Sequence, residues 1–399
     1  MLNNEKILFI HHGRVLGGAP VSLLNTIKGL EKLGCKNIKI LFAYDDMKPF
    51  FRNNCSAEIG DVYNPCLYLG RLAIGWSRMN KKRLLGEIFL LPLSIYKQYR
   101  IFKKEKPSII HLNSSILFSS AIAARLAGCK LVWHIREIFL KRDYPLLVRF
   151  YGWLVRKLAD NVIAISYAEA KSIGLRSDKN VEVVYNFIDF NKFNYRNHNQ
   201  IEQKRKLGFK KDDKIVLYIS NVSKRKGTLE LIQSLSSLKD NVFIVAVGIE
   251  KEELFKKPDS DFNSYRNKVV RELKKVDDSK IFFAGFQEDV VGYISASDLL
   301  VAPWTSPHFA RPIFEAWSMK KPVIAFDIAG ISENVEDGKN CILVKTMTGK
   351  ALADAINDVI FNNEKLEELG ENGYKKACKD FRQDINVKKI YDIYDNLIQ

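Results

Sequence analysis

Short apolar runs alternate along the chain with longer segments in which apolar residues recur every three or four positions. The first run, residues 6–11, is continuous and reads as a strand buried on both faces. A Gly-Gly turn follows. Residues 20–33 then place Val21, Leu24, Ile27 and Leu30 on one helical face, and Gly34 stands just past the end as a stop. Pro20 suits the first helical position. Further strand-like runs are 38–43, 108–112, 130–135, 161–165 and 181–184, with helical patterns between them at 116–127 and 144–159. Strands that alternate with helices predict a parallel sheet covered by helices.

A polar stretch from 191 to 214, rich in Asn, Lys, Arg and Gln, interrupts the pattern, and a second alternating series begins after it. Its strands are predicted at 214–219, 241–247, 280–284, 298–302, 322–326 and 341–344, and its helices at 228–238, 265–276, 312–319 and 350–361. At 399 residues the chain exceeds what one hydrophobic core supports. The expectation is an α/β protein of two Rossmann-like, doubly wound domains, 1–190 and 191–380, facing each other across a cleft. A final helical pattern at 381–399 either packs on the second domain or crosses back to the first. Ligands of such sheets bind beyond the carboxyl ends of the strands.

Composition changes this picture in two places. The six cysteines are scattered with no C-x-x-C pair, which argues against a zinc ribbon and for free thiols in a reducing compartment. The N-terminus lacks a basic flank and a cleavage site, and no run of about 20 apolar residues exists, so a cytoplasmic location is expected. The formal charge of +17 attracts polyanions. Residues 71–106 hold ten Lys/Arg against two Glu, interleaved with Trp76, Leu84, Leu85, Ile88, Phe89, Leu90, Leu91, Ile95, Tyr96, Tyr99 and Phe102. That mixture suits a helix lying on the inner face of an anionic membrane; the plainer alternative is a solvated basic face. No helix-turn-helix, RNA-binding signature or basic–aromatic β-surface occurs, so nucleic acid is not an expected partner.

Four segments could carry chemistry. Gly17 and Gly18, between the first strand and first helix, let a ligand approach the backbone at a helix N-terminus, where an anion is favoured. Residues 220–227, Ser-Asn-Val-Ser-Lys-Arg-Lys-Gly, put three cations between a strand and a helix, a combination suited to a diphosphate, with Lys226 the expected contact. Residues 304–315 end in Arg311-Pro-Ile-Phe-Glu315, which reads as a helix start with Pro312 first. Arg311 at the positive end of a helix is unfavourable, and an anionic ligand there would relieve it. Glu315 suits two hydroxyls of a ribose. Finally, a strand ends in His134, Arg136 and Glu137; His134 could donate a hydrogen bond or act as a base.

Taken in order, these features resemble family 4 glycosyltransferases of the GT-B fold. Besides Gly17-Gly18, Lys226-Gly227, Arg311 and Glu315, the resemblance rests on Tyr185-Asn-Phe-Ile-Asp189 with Phe193, Phe283-Ala-Gly-Phe286, residues 296–303, Lys321-Pro-Val-Ile-Ala325, Gly330-Ile-Ser-Glu333 and Glu336-Asp-Gly338. It covers nearly the whole chain and is strongest from 220 to 344.

The resemblance implies an enzyme that moves a sugar from a UDP- or GDP-linked donor to a glycan or lipid-linked saccharide. It implies retention of the anomeric configuration and no metal or other cofactor. His134, Lys226 and Arg311 would be catalytic. Gly17, Gly18, Asn221, Phe286, His308 and Glu315 would join Lys226 and Arg311 around the donor, and Arg136 and Glu137 would meet the acceptor. Lys226 and Arg311 would stabilise charge on the leaving diphosphate. Two positions depart from the family pattern. Pro307 stands where the first glutamate of the E-x7-E signature is expected, with His308 beside it as a substitute, and Asn221 replaces the arginine that usually joins the lysine. Rival readings are a related epimerase or phosphorylase, a non-catalytic sugar- or nucleotide-binding homologue and, on the charge of +17, a basic nucleic-acid- or membrane-binding protein.

Overall fold

The computed structural model describes residues 2–14, 16–74, 79–140, 144–175, 180–255 and 262–399. The chain divides into two compact units, Met1–Phe187 with Gln383–Gln399, and Ile188–Arg382. The boundary therefore falls at 187/188, slightly before the expected 190/191.

Among the described residues of the first unit seven parallel strands form one sheet: β1 (Ile7–His11), β2 (Ile38–Phe42), β3 (Glu58–Asp61), β4 (Ile109–Leu112), β5 (Lys130–Ile135), β6 (Asn161–Ala164) and β7 (Val181–Val183), in the order β3-β2-β1-β4-β5-β6-β7. Its helices begin with α1 (Gly18–Lys32), α2 (Lys48–Arg52), α3 (Tyr68–Ala73) and α4 (Lys81–Glu105). They continue with α5 (Phe118–Ala127), α6 (Pro145–Leu158) and α7 (Tyr167–Ser172). The central strands β1 and β4 are buried along their whole length, as continuous apolar runs in a doubly covered parallel sheet must be. Helix α1 begins at Gly18, so Pro20 is its third residue; within the first turn its missing N–H costs no hydrogen bond. The short β3 escapes the pattern reading because its sequence, Glu-Ile-Gly-Asp, is half polar and none of its residues is fully buried.

In the second unit the helices are α8 (Gln200–Lys206), α9 (Thr228–Ser234), α10 (Lys251–Phe255), α11 (Phe262–Leu273) and α12 (Val291–Ala296), then α13 (Arg311–Ser318), α14 (Gly349–Val359) and α15 (Asn363–Asp380). The strands are β8 (Lys214–Ile219), β9 (Val242–Val247), β10 (Ile281–Gly285), β11 (Leu299–Ala302), β12 (Val323–Phe326) and β13 (Ile342–Val344). They run parallel in the order β10-β9-β8-β11-β12-β13. The single helix expected at 228–238 is α9 followed by a 3₁₀ turn, Leu235–Ser237. The chain enters and leaves this unit side by side: Ile188 bridges Arg382, and the Ile188 N–H donates to the Phe381 carbonyl at 2.8 Å.

The last helix, α16 (Gln383–Ile398), belongs to the first unit. Val387, Ile390, Ile393 and Tyr394 join the core that β1, β2 and α1 form on one side of the sheet. Gly29 of α1 makes room for it, because a Cβ there would stand 2.5 Å from Val387.

Both sheets share one topology. The strand order reverses between β1 and β4 in the first unit and between β8 and β11 in the second. Those are the switch points where loops diverge and leave a crevice.

Candidate active site

The switch point of the second unit gathers the predicted donor residues. After β8 the chain turns through a 3₁₀ segment, Lys224–Lys226, and then Gly227 at φ +68° opens α9. A Cβ on Gly227 would fall 1.7 Å from the Pro303 carbonyl oxygen, so the loop after β8 and the loop after β11 touch backbone to backbone. Thr305 ties them further: its N–H donates to the Arg225 carbonyl at 3.0 Å and its hydroxyl to the Lys224 carbonyl at 2.7 Å.

This clamp sets Lys226. Its Nζ lies 3.5 Å from the centroid of the Trp304 ring, a cation–π contact. Burial, and then the neighbouring Arg225 charge, push its ammonium down to about 7. The lysine is thus held in a place where its own charge is costly.

Arg311 begins α13, with Pro312 second in the helix, not first as expected. Its Nε stands 2.7 Å from Oε1 of Glu315, one turn on. The contact is an ion pair without the alignment of a hydrogen bond, since the same Nε has no acceptor in line. The unfavourable cation at the helix start is therefore already offset by Glu315, where the sequence alone called for an anionic ligand. Glu315 is only 5% exposed. Burial raises its carboxyl pKa and Arg311 opposes that shift. Helix α13 is anchored from behind: Phe314 stacks on Phe381 at 3.9 Å, and Trp317 donates from Nε1 to the Asn340 carbonyl at 3.0 Å.

The remaining donor candidates lie on neighbouring loops. His308 is exposed, packs on Trp304 at 4.9 Å, and is pinned by its N–H to the Ala329 carbonyl at 3.0 Å. Asn221, just beyond β8, is exposed. Phe286, just beyond β10, is 57% exposed. Pro307 is exposed beside His308. The loops after β8, β10, β11 and β12 thus all contribute at the carboxyl end of this sheet.

In the first unit the corresponding end carries a cluster the sequence reading found only in part. His134 is there, but so are His11, His12, His111 and Asn113. His134 Nδ1 lies 3.1 Å from His111 Nε2, His111 Nδ1 lies 2.6 Å from the Tyr394 hydroxyl, and Asn113 Nδ2 lies 3.2 Å from His11 Nδ1. Burial, followed by nearby charge including that of Arg136, lowers His11 and His111 to about 3 and holds His134 well below the usual range. These imidazoles are neutral. His11 and His111 lie in the two strands that flank the switch point, which only the strand order reveals. A histidine inside an apolar run gives no hint of that on its own.

Arg136 donates from Nη2 to Asn186 Oδ1 at 2.7 Å, and Ser22 of α1 donates to the same oxygen at 2.8 Å. Glu137 accepts from the Ser114 hydroxyl at 2.8 Å and from the Ser115 N–H at 2.9 Å. Both its oxygens therefore hold the loop after β4, which gives it a structural task that the sequence did not signal. Gly17 precedes α1 with extended backbone and no side-chain cap. A Cβ on Gly17 or Gly18 would meet nothing within 4 Å, so the start of α1 is uncovered. Beyond β2 and β3 an open depression of about 640 Å³ is lined by Arg14, Tyr44, Asp45, Asp46, Pro49 and Asp61 among others.

Two parallel sheets of Rossmann order, the second bearing a cationic loop at its switch point, are the architecture expected of a GT-B glycosyltransferase. Comparison with known proteins agrees. Residues 16–192 match the model of Glycosyltransferase Family 4 and residues 199–376 that of Glycosyl transferases group 1. The chain belongs to this glycosyltransferase family and is an enzyme of that class. It is 25% identical over 323 residues to the capsular polysaccharide biosynthesis glycosyltransferase CapM of Staphylococcus aureus, covering 77% of this chain and 81% of the relative. It is also 25% identical over 329 residues to an Escherichia coli enzyme, UDP-Gal:alpha-D-GlcNAc-diphosphoundecaprenol alpha-1,3-galactosyltransferase, covering 76% and 79%. Among solved structures, Anabaena Alr3699/HepE in complex with UDP-glucose superposes with a TM-score of 0.79 at 23% identity, over 98% of this chain and all of that one.

Proposed function

We propose that this enzyme transfers a sugar, with retention, from a uridine- or guanosine-diphosphate donor to a glycan or lipid-linked saccharide in cell-surface polysaccharide synthesis. The observation that carries the reading is Lys226, clamped over Trp304 at the switch point of the second sheet with its charge suppressed by burial. A diphosphate is the partner that would restore that charge. Arg311 adds a second cation whose guanidinium is held by Glu315. Together they stabilise the leaving diphosphate with side-chain charge in place of a metal ion. The departing phosphate takes the acceptor hydroxyl's proton on the same face as it leaves, and Glu315 takes ribose hydroxyls. The uridine form is favoured by the E. coli relative, which uses UDP-Gal, and by the Anabaena structure, which holds UDP-glucose. The acceptor binds at the carboxyl ends of β1, β4 and β5, where Arg136 and the neutral His134 supply hydrogen-bond donors.

The enzyme works in the cytoplasm, docked on an anionic membrane face through α4 and α6. Support comes from the distribution of side chains on these helices. The four buried residues of α4 are Glu87, Ser94, Gln98 and Phe102, while Leu85, Ile88, Phe89, Leu93 and Tyr96 are exposed, Phe89 at 80%. On α6, Leu146 is 77% exposed, and Phe150 and Trp153 stack at 5.7 Å on the surface. The two helix starts are joined, since the Met79 N–H donates to the Tyr144 hydroxyl at 3.0 Å. Trp76, part of the basic segment in the sequence, lies outside the described residues.

Lys226→Ala and Arg311→Ala should each lower turnover by about 10²-fold or more, the usual effect of losing one donor to a developing anion. Release of nucleoside diphosphate in a coupled assay measures this; wild-type turnover in either variant would sink the assignment.

A further inference from the structure

The buried rings behind the end of β5 form a chain that finishes in the last helix. The Tyr394 hydroxyl meets His111 Nδ1 at 2.6 Å, and His111 Nε2 meets His134 Nδ1 at 3.1 Å. Tyr394, His111 and His134 are all buried. His134 Nε2 has no hydrogen-bond partner among the described residues.

The direction of this chain follows from the phenol. Among the described residues His111 Nδ1 is the hydrogen-bonding neighbour of the Tyr394 hydroxyl. If that hydroxyl accepted from Nδ1, its own proton would stay buried without an acceptor whatever the enzyme binds, which is costly; if it donates, the proton left over is on His134 Nε2, at the end of the chain, where a ligand oxygen can take it. Tyr394 therefore donates. A neutral His111 that accepts at Nδ1 carries its proton on Nε2 and passes a hydrogen bond to His134 Nδ1. A neutral His134 that accepts at Nδ1 carries its own proton on Nε2. Burial beside Arg136 keeps both rings neutral.

We propose that Tyr394 is a positioning residue which, through His111, fixes His134 in its Nε2–H tautomer. His134 then offers a neutral hydrogen-bond donor at the carboxyl end of β5 and cannot serve there as a base. The group it takes is an oxygen lone pair of the bound saccharide, a sugar hydroxyl or ether oxygen. The inference rests on the proposed function for the oxygen that takes the Nε2 proton, while the tautomer itself is read in the free protein. It also gives α16 a task beyond packing, since the first 187 residues alone lack the phenol that sets the ring.

The test is long-range ¹H–¹⁵N correlation spectroscopy of full-length, histidine-labelled protein, with His134 assigned through His134→Gln. The expected wild-type spectrum has His134 Nε2 protonated and Nδ1 bare at neutral pH. Tyr394→Phe keeps the ring and removes the proton; it should populate the Nδ1–H form of both histidines and lower kcat about tenfold. Wild-type His134 protonated on Nδ1, or an unchanged tautomer in Tyr394→Phe, would overturn the proposal. Should Tyr394→Phe fail to fold, the wild-type tautomer decides alone. A wild-type enzyme inert with every donor would count against the proposed function and leave the tautomer result standing.

Discussion

At Lys226 an ammonium is placed where free solvent cannot fully stabilise it, and the consequence is measurable. Its ionisation is shifted down to about 7 by burial and by Arg225. Below that pH the free enzyme already carries the charge, so binding an anion needs no proton. Above it, and up to the ordinary lysine range, the free side chain is neutral, and a bound diphosphate must raise its pKa and draw in a proton. UDP binding at pH 8 should therefore take up a fraction of a proton, and at pH 6 Lys226 should contribute none. Titration calorimetry in buffers of different ionisation enthalpy reads this directly, with Lys226→Ala as the control that removes it. Gly227 supports the same clamp. Alanine there meets both the left-handed backbone and the Pro303 carbonyl, and should cost about 2–4 kcal/mol, seen as a lower unfolding midpoint. An unchanged midpoint would show that the two loops are not locked together. At this scale the sequence was informative where charge and glycine coincide, as at Lys226-Gly227. At Arg311 it showed the cation but not the ion pair with Glu315, one turn on, that already offsets the charge at the helix start.

Among the elements, α4 departs most from ordinary amphipathic logic. Its buried polar side chains find partners on two sides. Glu87 accepts from the Tyr68 and Leu69 N–H groups at the start of α3, and a network reaches across to α5: Gln98 Nε2 donates to Ser94 Oγ at 3.0 Å, Ser120 donates to Gln98 Oε1 at 2.6 Å, and Ser119 donates to Asn64 Oδ1 at 2.8 Å. Burying these groups without partners would be costly, so the network is what lets the helix turn leucine, isoleucine and phenylalanine outward. Exposed apolar side chains flanked by Lys81, Lys82 and Arg83 fit a lipid headgroup boundary better than water. Replacing those three cations should weaken co-sedimentation with phosphatidylglycerol vesicles by about 1 kcal/mol per charge at low salt. Phe89→Ser with Leu146→Ser should weaken it further, and equal binding by all variants would leave only a solvated basic face. The sequence exposed the basic–apolar mixture but not which side faces inward. Hydrophobic periodicity gives a helix its faces, and only the Ser/Asn/Gln partners on other elements decide which one is buried. The exposed aromatics of α6 went unnoticed for the same reason.

For the molecule as a whole, one topology appears twice, and each copy concentrates chemistry at its switch point. The alternation of apolar runs made both sheets legible, since a strand covered on both faces has to be apolar throughout. Strand order was not legible from the pattern, because it depends on contacts distant in sequence; for the same reason only the family resemblance, and not the periodicity of 381–399, pointed α16 back to the first unit. The histidines were legible as residues but not as a cluster, since β1, β4 and β5 meet only in the folded sheet. The central claim is that the switch point of the second unit holds a nucleoside diphosphate sugar for transfer. Its most direct test is a thermal-shift and hydrolysis screen of the intact protein against UDP-, GDP- and ADP-sugars, run beside Lys226→Ala. The account predicts that a UDP- or GDP-sugar raises the unfolding temperature, by mass action on the folded state, and is slowly hydrolysed, and that both effects are lost in the variant. Stabilisation by no nucleotide sugar, or an equal response in Lys226→Ala, would contradict it.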